Sequence, residues 1–343
     1  MRRPLFLRIL NAVEAHDPYF VQRRNAAGTL GFSSIQKVTS ALRMLAYGVA
    51  ADQIDDGLRI AESTSIECMT HFVRAVVKIF GDEYLRPPND DDTARLLAHA
   101  ENRGFPGMLG SVDCMHWPWK NCPTGWHGQY TGHAHGATII LEAVASYDLW
   151  IWHAFFGLPG SLNDINVLHR SNLFSRQAEG QAPPVNYTVD GKEYKMGYYL
   201  ADGIYPEWAV FVKTIPCPQG KKKKLFAQAQ ESYRKDVEHA FGVLQSRFAI
   251  VRGPARPHEI ENLHDIMTAC ITIHNMIVED EREAGLYDYR YDAMGTRVHM
   301  SHEETSDLNQ FIQNHHAIRN RQGHRELQAD LVDHYWNWYG VEE

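Results

Sequence analysis

The chain of 343 residues lacks any run near 18 consecutive apolar residues, so no membrane-spanning helix is expected. Cysteine is sparse. Cys68, Cys114, Cys122, Cys217 and Cys270 are odd in number and scattered, which argues against a disulfide framework and for a reducing compartment, cytosol or nucleus. Met1 to Leu10 holds arginines and a short apolar run but no small-residue cleavage site, so a signal peptide is not expected. Internal repeats and long low-complexity tracts are missing. Positive charge is not in excess either: the formal net charge is −8, which taken globally disfavours a nucleic-acid binder. That sum hides an uneven distribution. Lys221 to Lys224 are consecutive, with Arg234, Lys235, Arg247, Arg252 and Arg256 beyond them. Acid collects at Asp90 to Asp92, Glu279 to Glu283 and the C-terminus. What is present is an ordinary globular composition, 44% hydrophobic and 22% charged, long enough for one to three domains.

Residues 1–105 read as helices. Phe6, Ile9, Leu10 and Val13 recur at helical spacing, and Ser33-Ser34 can cap a helix through Ile35, Val38, Leu42 and Leu45 that stops at Gly48. Thr64 opens a further helix, through Met69, Phe72, Val76 and Phe80, and Asp92-Thr93 another. Several short helices with a Ser-Ser-x-x-Gln start suit a helix-turn-helix DNA-binding arrangement as well as a plain packing domain. From residue 106 the period changes. Met108 to Asp113 reads as a strand, Thr138 to Ser146 and Leu149 to Phe156 as a hairpin, and Ile165 to Phe174 as a helix. Residues 175–196 are polar and read as an insertion, the lysine run as a loop. Tyr198 to Ala201 is a short apolar run ending at Asp202. Residues 225–281 are helical again, with Val237, Phe241, Leu244 and Phe248 on one stripe. The expected organisation is a helical region (1–105), an α/β core (106–281) and a polar tail with a terminal helix (282–343).

Two apolar runs that end in Asp113 and Asp202, followed by a helix carrying Glu238, define a carboxylate pattern. Hard divalent cations take oxygen ligands, commonly a few carboxylates plus substrate phosphate oxygens. Phosphodiester chemistry uses two such ions. Asp164, at a helix start after Gly160-Ser161-Leu162-Asn163, is a fourth candidate. Singly, each acid has an ordinary explanation: a surface acid at Asp113, a helix cap at Asp164, an Asp-Gly turn at Asp202, a solvated helix face at Glu238. Their joint order carries the signal.

The wording of these segments resembles the PIF/Harbinger superfamily of transposases and the nucleases derived from it, closest to the plant branch. The resemblance rests on Arg103 to Trp117, Leu158 to Asp164, Leu200 to Pro206, Arg234 to Gly242 and Ile273 to Met276, and covers roughly residues 1–280. It implies an RNase H-like core with an Asp-Asp-Glu site for two divalent ions, Mg2+ or Mn2+. Asp113 would be the first ligand and Glu238 the third. Asp202 is favoured as the second, with Asp164 accessory or alternative. Cleavage by hydrolysis without a covalent protein intermediate follows, with Arg234 and Lys235 as contacts to DNA phosphate and Lys221, Lys222, Lys223 and Lys224 as contacts to DNA backbone or a nuclear-import signal. The family further implies a Myb/SANT-like DNA-binding partner, nuclear residence (cytoplasmic until a partner imports the chain) and more sequence upstream of Met1. Oligomeric state stays open.

Two competing functions remain in view at this point: a domesticated, non-catalytic DNA- or chromatin-binding protein, and a metal-dependent phosphatase. Cys114, His116, Cys122, His127, His133 and His135 cluster in sequence, but their spacing matches no closed zinc site. Trp117, Trp119, Trp126 and Tyr130 suit packing at the sheet edge, or stacking on an unpaired base. His274, on an apolar helix, reads as a satisfied core histidine.

Overall fold

The computed structural model describes residues 1–48, 58–132, 136–285 and 308–339; His133 and His135 lie outside these. The N-terminal helices are α1 (Arg3–His16), α2 (Ser34–Tyr47), α3 (Glu62–Tyr84) and α4 (Asp90–Asn102). Local chemistry sets their ends. Ser33 and Gln36 form a capping box at the start of α2, and Gly48 ends it in the left-handed region. α3 starts at Glu62, two residues before the expected Thr64. α4 starts at Asp90 because Asn89 caps it, with Asp92 reaching back to the Asn89 backbone.

The strands are β1 (Met108–Pro118), β2 (Thr138–Ala145), β3 (Ile151–Pro159), β6 (Tyr198–Ala201) and β7 (Phe211–Lys213), joined in one sheet of order β3-β2-β1-β6-β7. β1, β2 and β3 are antiparallel neighbours, whereas β6 runs parallel to β1 and β7 parallel to β6. The fold is therefore mixed α/β. Between β1 and β2 lies α5 (Thr124–Tyr130). After β3 the expected single helix Ile165 to Phe174 is instead the short α6 (Asp164–Leu168), with α7 (Ser175–Ala178) further on. The polar stretch 175–196 holds a second hairpin, β4 (Tyr187–Val189) with β5 (Lys192–Tyr194). Tyr187 packs against Gly107, at a positive φ of 88°, where any Cβ would run into the tyrosine ring.

The long α8 (Gly220–Arg247) crosses the sheet, followed by α9 (Ala249–Arg252), α10 (Ile260–Glu283), α11 (Leu308–Ile318) and α12 (Arg321–Tyr339). One apolar core joins α1, α2, α3, the α8 stripe, α10 and one face of β1–β3. Phe72, Trp117, Leu141, Leu244 and Leu263 are fully buried in it, and side chains of this kind stabilise by about 1.5–3 kcal/mol each. The opposite sheet face packs Val112, Val144, Leu168, Tyr205 and Phe211 into a separate cluster.

Candidate active site

The site lies where two parallel strands part. β1 and β6 pair at Met108–Tyr198, Gly110–Tyr199 and Ser111–Leu200. β6 then ends at Ala201. Asp202 turns the chain away, its Oδ1 accepting from the Ile204 backbone N–H at 2.8 Å. β1 does not stop. It continues to Pro118 against β2, with Asp113 opposite Ala143. Asp113 is thus mid-strand, not at a strand end as the apolar run suggested, because β2 goes on supplying backbone partners past the hydrophobic residues. It lies just beyond the last rung shared with β6, on the side that β6 vacates, and Asp202 opens the turn that vacates it.

Two buried polar contacts register α8 over this gap. The Val237 backbone N–H donates to Ser111 Oγ at 3.1 Å, tying the helix to β1 two residues before Asp113. Gln230, fully buried, donates from Nε2 to the Ala201 and Val212 carbonyls, both at 3.0 Å, tying it to β6 and β7. Arg103, at the end of α4, pairs with Asp236 at 2.5 Å and holds the same helix. Glu238 therefore stands over Asp113, with Arg234 one turn before it. Arg234 Nη1 donates to Asp113 Oδ2 at 3.2 Å and forms an ion pair with Glu238 Oε1 at 2.9 Å, so one guanidinium bridges the two acids.

Asp164 reaches the same region from beyond β3. Asn163, not Asp164, caps α6: its side chain accepts from the Asn166 backbone N–H at 2.9 Å. That leaves the Asp164 carboxylate free of the cap and close enough to the Cys114 thiol to feel it electrostatically, and Cys114 touches the Tyr205 hydroxyl at 3.7 Å. Gly160 permits this loop, since a Cβ there would collide with the Thr138 hydroxyl. Burial raises the Asp113 carboxyl to about 6; the Cys114 amide and Arg234 oppose the rise, while Asp164 and Asp202 reinforce it. Burial likewise raises Asp164, the Cys114 thiol opposes, and Asp202 adds to the rise. Asp113, Asp164 and Asp202 thus share one electrostatic neighbourhood, and Glu238 joins it through Arg234.

Among the described residues, no three His, Cys, Asp or Glu side chains converge closely enough to hold a metal ion as they stand. At Asp113 and Glu238 an oxygen of each acid is in contact with Arg234 Nη1. The donor set is nonetheless all carboxylate oxygen, which suits a hard divalent cation.

The lysine run is not at this site. Lys221 to Lys224 form the first turn of α8, not a loop. Lys224 lies 14 residues before Glu238, roughly 21 Å along the helix axis at 1.5 Å per residue. Lys222 pairs with Asp333 of α12. Lys235 is exposed beside the bridging Arg234.

Sequence reasoning missed four residues here. Ser111 and Gln230 look ordinary in a strand and a helix, and only their burial marks them. Lys213, opposite Ala201 in the β6–β7 ladder, brings a half-buried ammonium near Asp202. Glu142 is fully buried opposite Cys114; its Oε2 lies 3.3 Å from His153, and its Oε1 has no partner among the described residues. A lone acid inside the otherwise apolar run Thr138 to Ala145 was the available signal. The sequence cluster of Cys114, His116, Cys122 and His127 disperses. His116 faces Thr138, Cys122 faces the Pro123 carbonyl and His127 faces Thr131. Trp117 and Trp119 are buried and donate to the Gly253 and Pro257 carbonyls, while Trp126 is exposed.

Fold and site together define a mixed α/β protein with acidic side chains gathered at the mouth of a parallel strand pair under a crossing helix. The chain belongs to the plant transposon protein family, which it matches over residues 82–285, in agreement with the PIF/Harbinger resemblance. It is similar to the human protein named "Putative nuclease HARBI1", 23% identical over 247 residues, 71% of this chain and 67% of that one. The bovine protein of the same name is 22% identical over the same span. "Protein ALP1-like" of Arabidopsis thaliana is 23% identical over 257 residues, 71% of this chain and 61% of its own length. No solved structure matches.

Proposed function

We propose that the chain is a divalent-metal-dependent DNA endonuclease of transposase type, with an RNase H-like core and an Asp-Asp-Glu site. The observation that carries this is the bridge from Asp113 to Glu238 through Arg234 where β1 and β6 part, with Asp202 opening the turn at the end of β6. The sheet order, antiparallel through β3-β2-β1 and parallel through β1-β6-β7, supports the RNase H-like reading. Relatives named nucleases support the reaction class.

Asp113, Asp202 and Glu238 would hold Mg2+ or Mn2+, with Asp164 accessory. The ions would polarise the scissile phosphate and favour attack by water. The chain's own residues do the rest. Ser111 and Gln230 hold α8 at the height that sets Glu238 over Asp113. Arg234 and Lys235 would contact phosphate oxygens near the acids, while Lys221 to Lys224 would meet DNA backbone farther along α8. DNA as substrate, a Myb/SANT-like partner and nuclear residence belong to the same proposal.

The test is Mn2+-dependent nicking of supercoiled DNA with the partner protein supplied. Asp113→Ala and Glu238→Ala are expected to lower the rate about 1000-fold, near 4 kcal/mol of barrier. A larger loss from Asp202→Ala than from Asp164→Ala assigns Asp202 as second ligand. Nicking that survives Asp113→Ala and Glu238→Ala sinks the proposal. A wild type that binds DNA but never nicks it favours the non-catalytic DNA-binding reading.

A further inference from the structure

We infer that Arg234 is a built-in cationic placeholder, which occupies the space between Asp113 and Glu238 and must be displaced before a divalent ion can share these two acids. The inference rests on the metal-site reading above. It adds a competitor supplied by the protein itself.

The geometry is specific. A single nitrogen, Nη1, serves both carboxylates, at 3.2 Å from Asp113 Oδ2 and 2.9 Å from Glu238 Oε1. The other Asp113 oxygen accepts from the Cys114 backbone N–H at 2.8 Å, so Asp113 is held from both sides. A Mg2+ ion takes its oxygens at about 2.0–2.1 Å. An ion bound by both Oδ2 and Oε1 would need the volume that Nη1 fills. Guanidinium cannot lose its proton, so the positive charge leaves only if the side chain moves.

Arg234 is placed to move. It sits one turn before Glu238 on α8, and its long side chain can swing along the helix while its backbone stays. Once displaced, it remains a fixed positive charge one turn from the acids, where a DNA phosphate would arrive. The placeholder also has a use without metal. It neutralises one of two facing acids, and Asp113 already lies near Asp164 and Asp202. Partial exposure sets the size of the effect. The side chains of Arg234 and Asp113 are 18% and 19% exposed, but that of Glu238 is 42% exposed. Solvent therefore screens the competition to a modest factor.

The experiment is calorimetric titration of the full chain with Mn2+ alone at pH 8. Wild type is compared with Arg234→Lys, Arg234→Gln, Asp113→Asn and the double variant Arg234→Gln/Asp113→Asn. Thermal melting in chelator confirms folding. Arg234→Gln is expected to bind Mn2+ about tenfold more tightly than wild type. Arg234→Lys should fall between, because it keeps the charge but not the forked reach. The double variant should lose the gain. If Arg234→Gln binds Mn2+ equally or more weakly while Asp113→Asn still weakens binding, the placeholder is wrong and the metal site stands. If Asp113→Asn leaves Mn2+ binding unchanged, or no variant binds Mn2+, the metal site itself fails and takes the placeholder with it. Should Arg234→Gln not fold, the Arg234→Lys comparison decides alone: tighter binding than wild type supports the placeholder, and equal or weaker binding overturns it.

Discussion

Two of the polar junctions between helices and this sheet are built in opposite ways. At the β3 edge, Asn275 of α10 is saturated. Its Nδ2 donates to the Ile151 carbonyl at 2.8 Å and the Tyr84 carbonyl at 2.7 Å, and its Oδ1 accepts from the Ile151 N–H at 2.9 Å. Beside it, His274 is fully buried, meets the Leu149 carbonyl at 2.8 Å and is pushed down to about 3 by burial, so it stays neutral. At the β1–β6 gap, α8 instead brings charge over charge. Asp113 is raised to about 6, Glu238 is partly exposed, and one arginine spans them. Buried polar groups that are fully bonded rigidify a fold. Groups left with unmet demand are available to a ligand.

That contrast can be broken, starting where the effect is largest. Asn275→Ala strands three backbone groups in the core and is expected to lower unfolding stability by about 4 kcal/mol, measured by urea denaturation. A loss below about 1 kcal/mol would show that water replaces the amide. Gln230→Ala frees the Ala201 and Val212 carbonyls and should lower stability by about 2 kcal/mol. It should also reduce nicking by folded protein, because α8 loses its tie to β6. Unchanged nicking would remove Gln230 from the site's support.

A pH comparison sharpens the charged junction. The folded chain holds the Asp113 proton more tightly than the unfolded chain does. The stabilisation from that proton is present below pH 4 and lost as pH rises through about 6. Relative to Asp113→Asn, metal-free wild type should therefore lose on the order of 2 kcal/mol between pH 4 and pH 7, read from parallel urea melts. Parallel curves would mean that Asp113 is not perturbed. The smallest effect belongs to the lysine run. Lys222→Ala removes a pair whose side chains are 37% and 60% exposed. It should change stability by less than about 0.5 kcal/mol.

The two junctions also differ in how far the sequence revealed them. Features governed by near neighbours were legible: the Ser33 cap, the Gly48 stop, the β2–β3 hairpin and the apolar stripe of α8. The pairing of Arg234 with Glu238 was legible too, as helical neighbours four apart. Its reach to Asp113 was not, because that contact depends on how α8 crosses a sheet whose strands are distant in sequence. The strand β1 was cut short at Asp113, since the end of an apolar run says nothing of the neighbour that extends the ladder. The lysines precede residue 225, where the apolar pattern of the helix becomes visible, and the structure extends α8 back to Gly220 although four positive charges in a first turn oppose the helix dipole. The order of the carboxylates was visible, while the residues that aim them, Ser111 and Gln230, had no signature beyond burial.

The most direct measurement is a crystal structure of the full chain with Mn2+, phased to reveal the ion by its anomalous scattering. The expected result is a peak flanked by Asp113 and Asp202, within reach of Glu238, with the Arg234 side chain turned away from both Asp113 and Glu238. Mn2+ bound elsewhere, or no peak while Arg234 still bridges the two acids, would contradict the account.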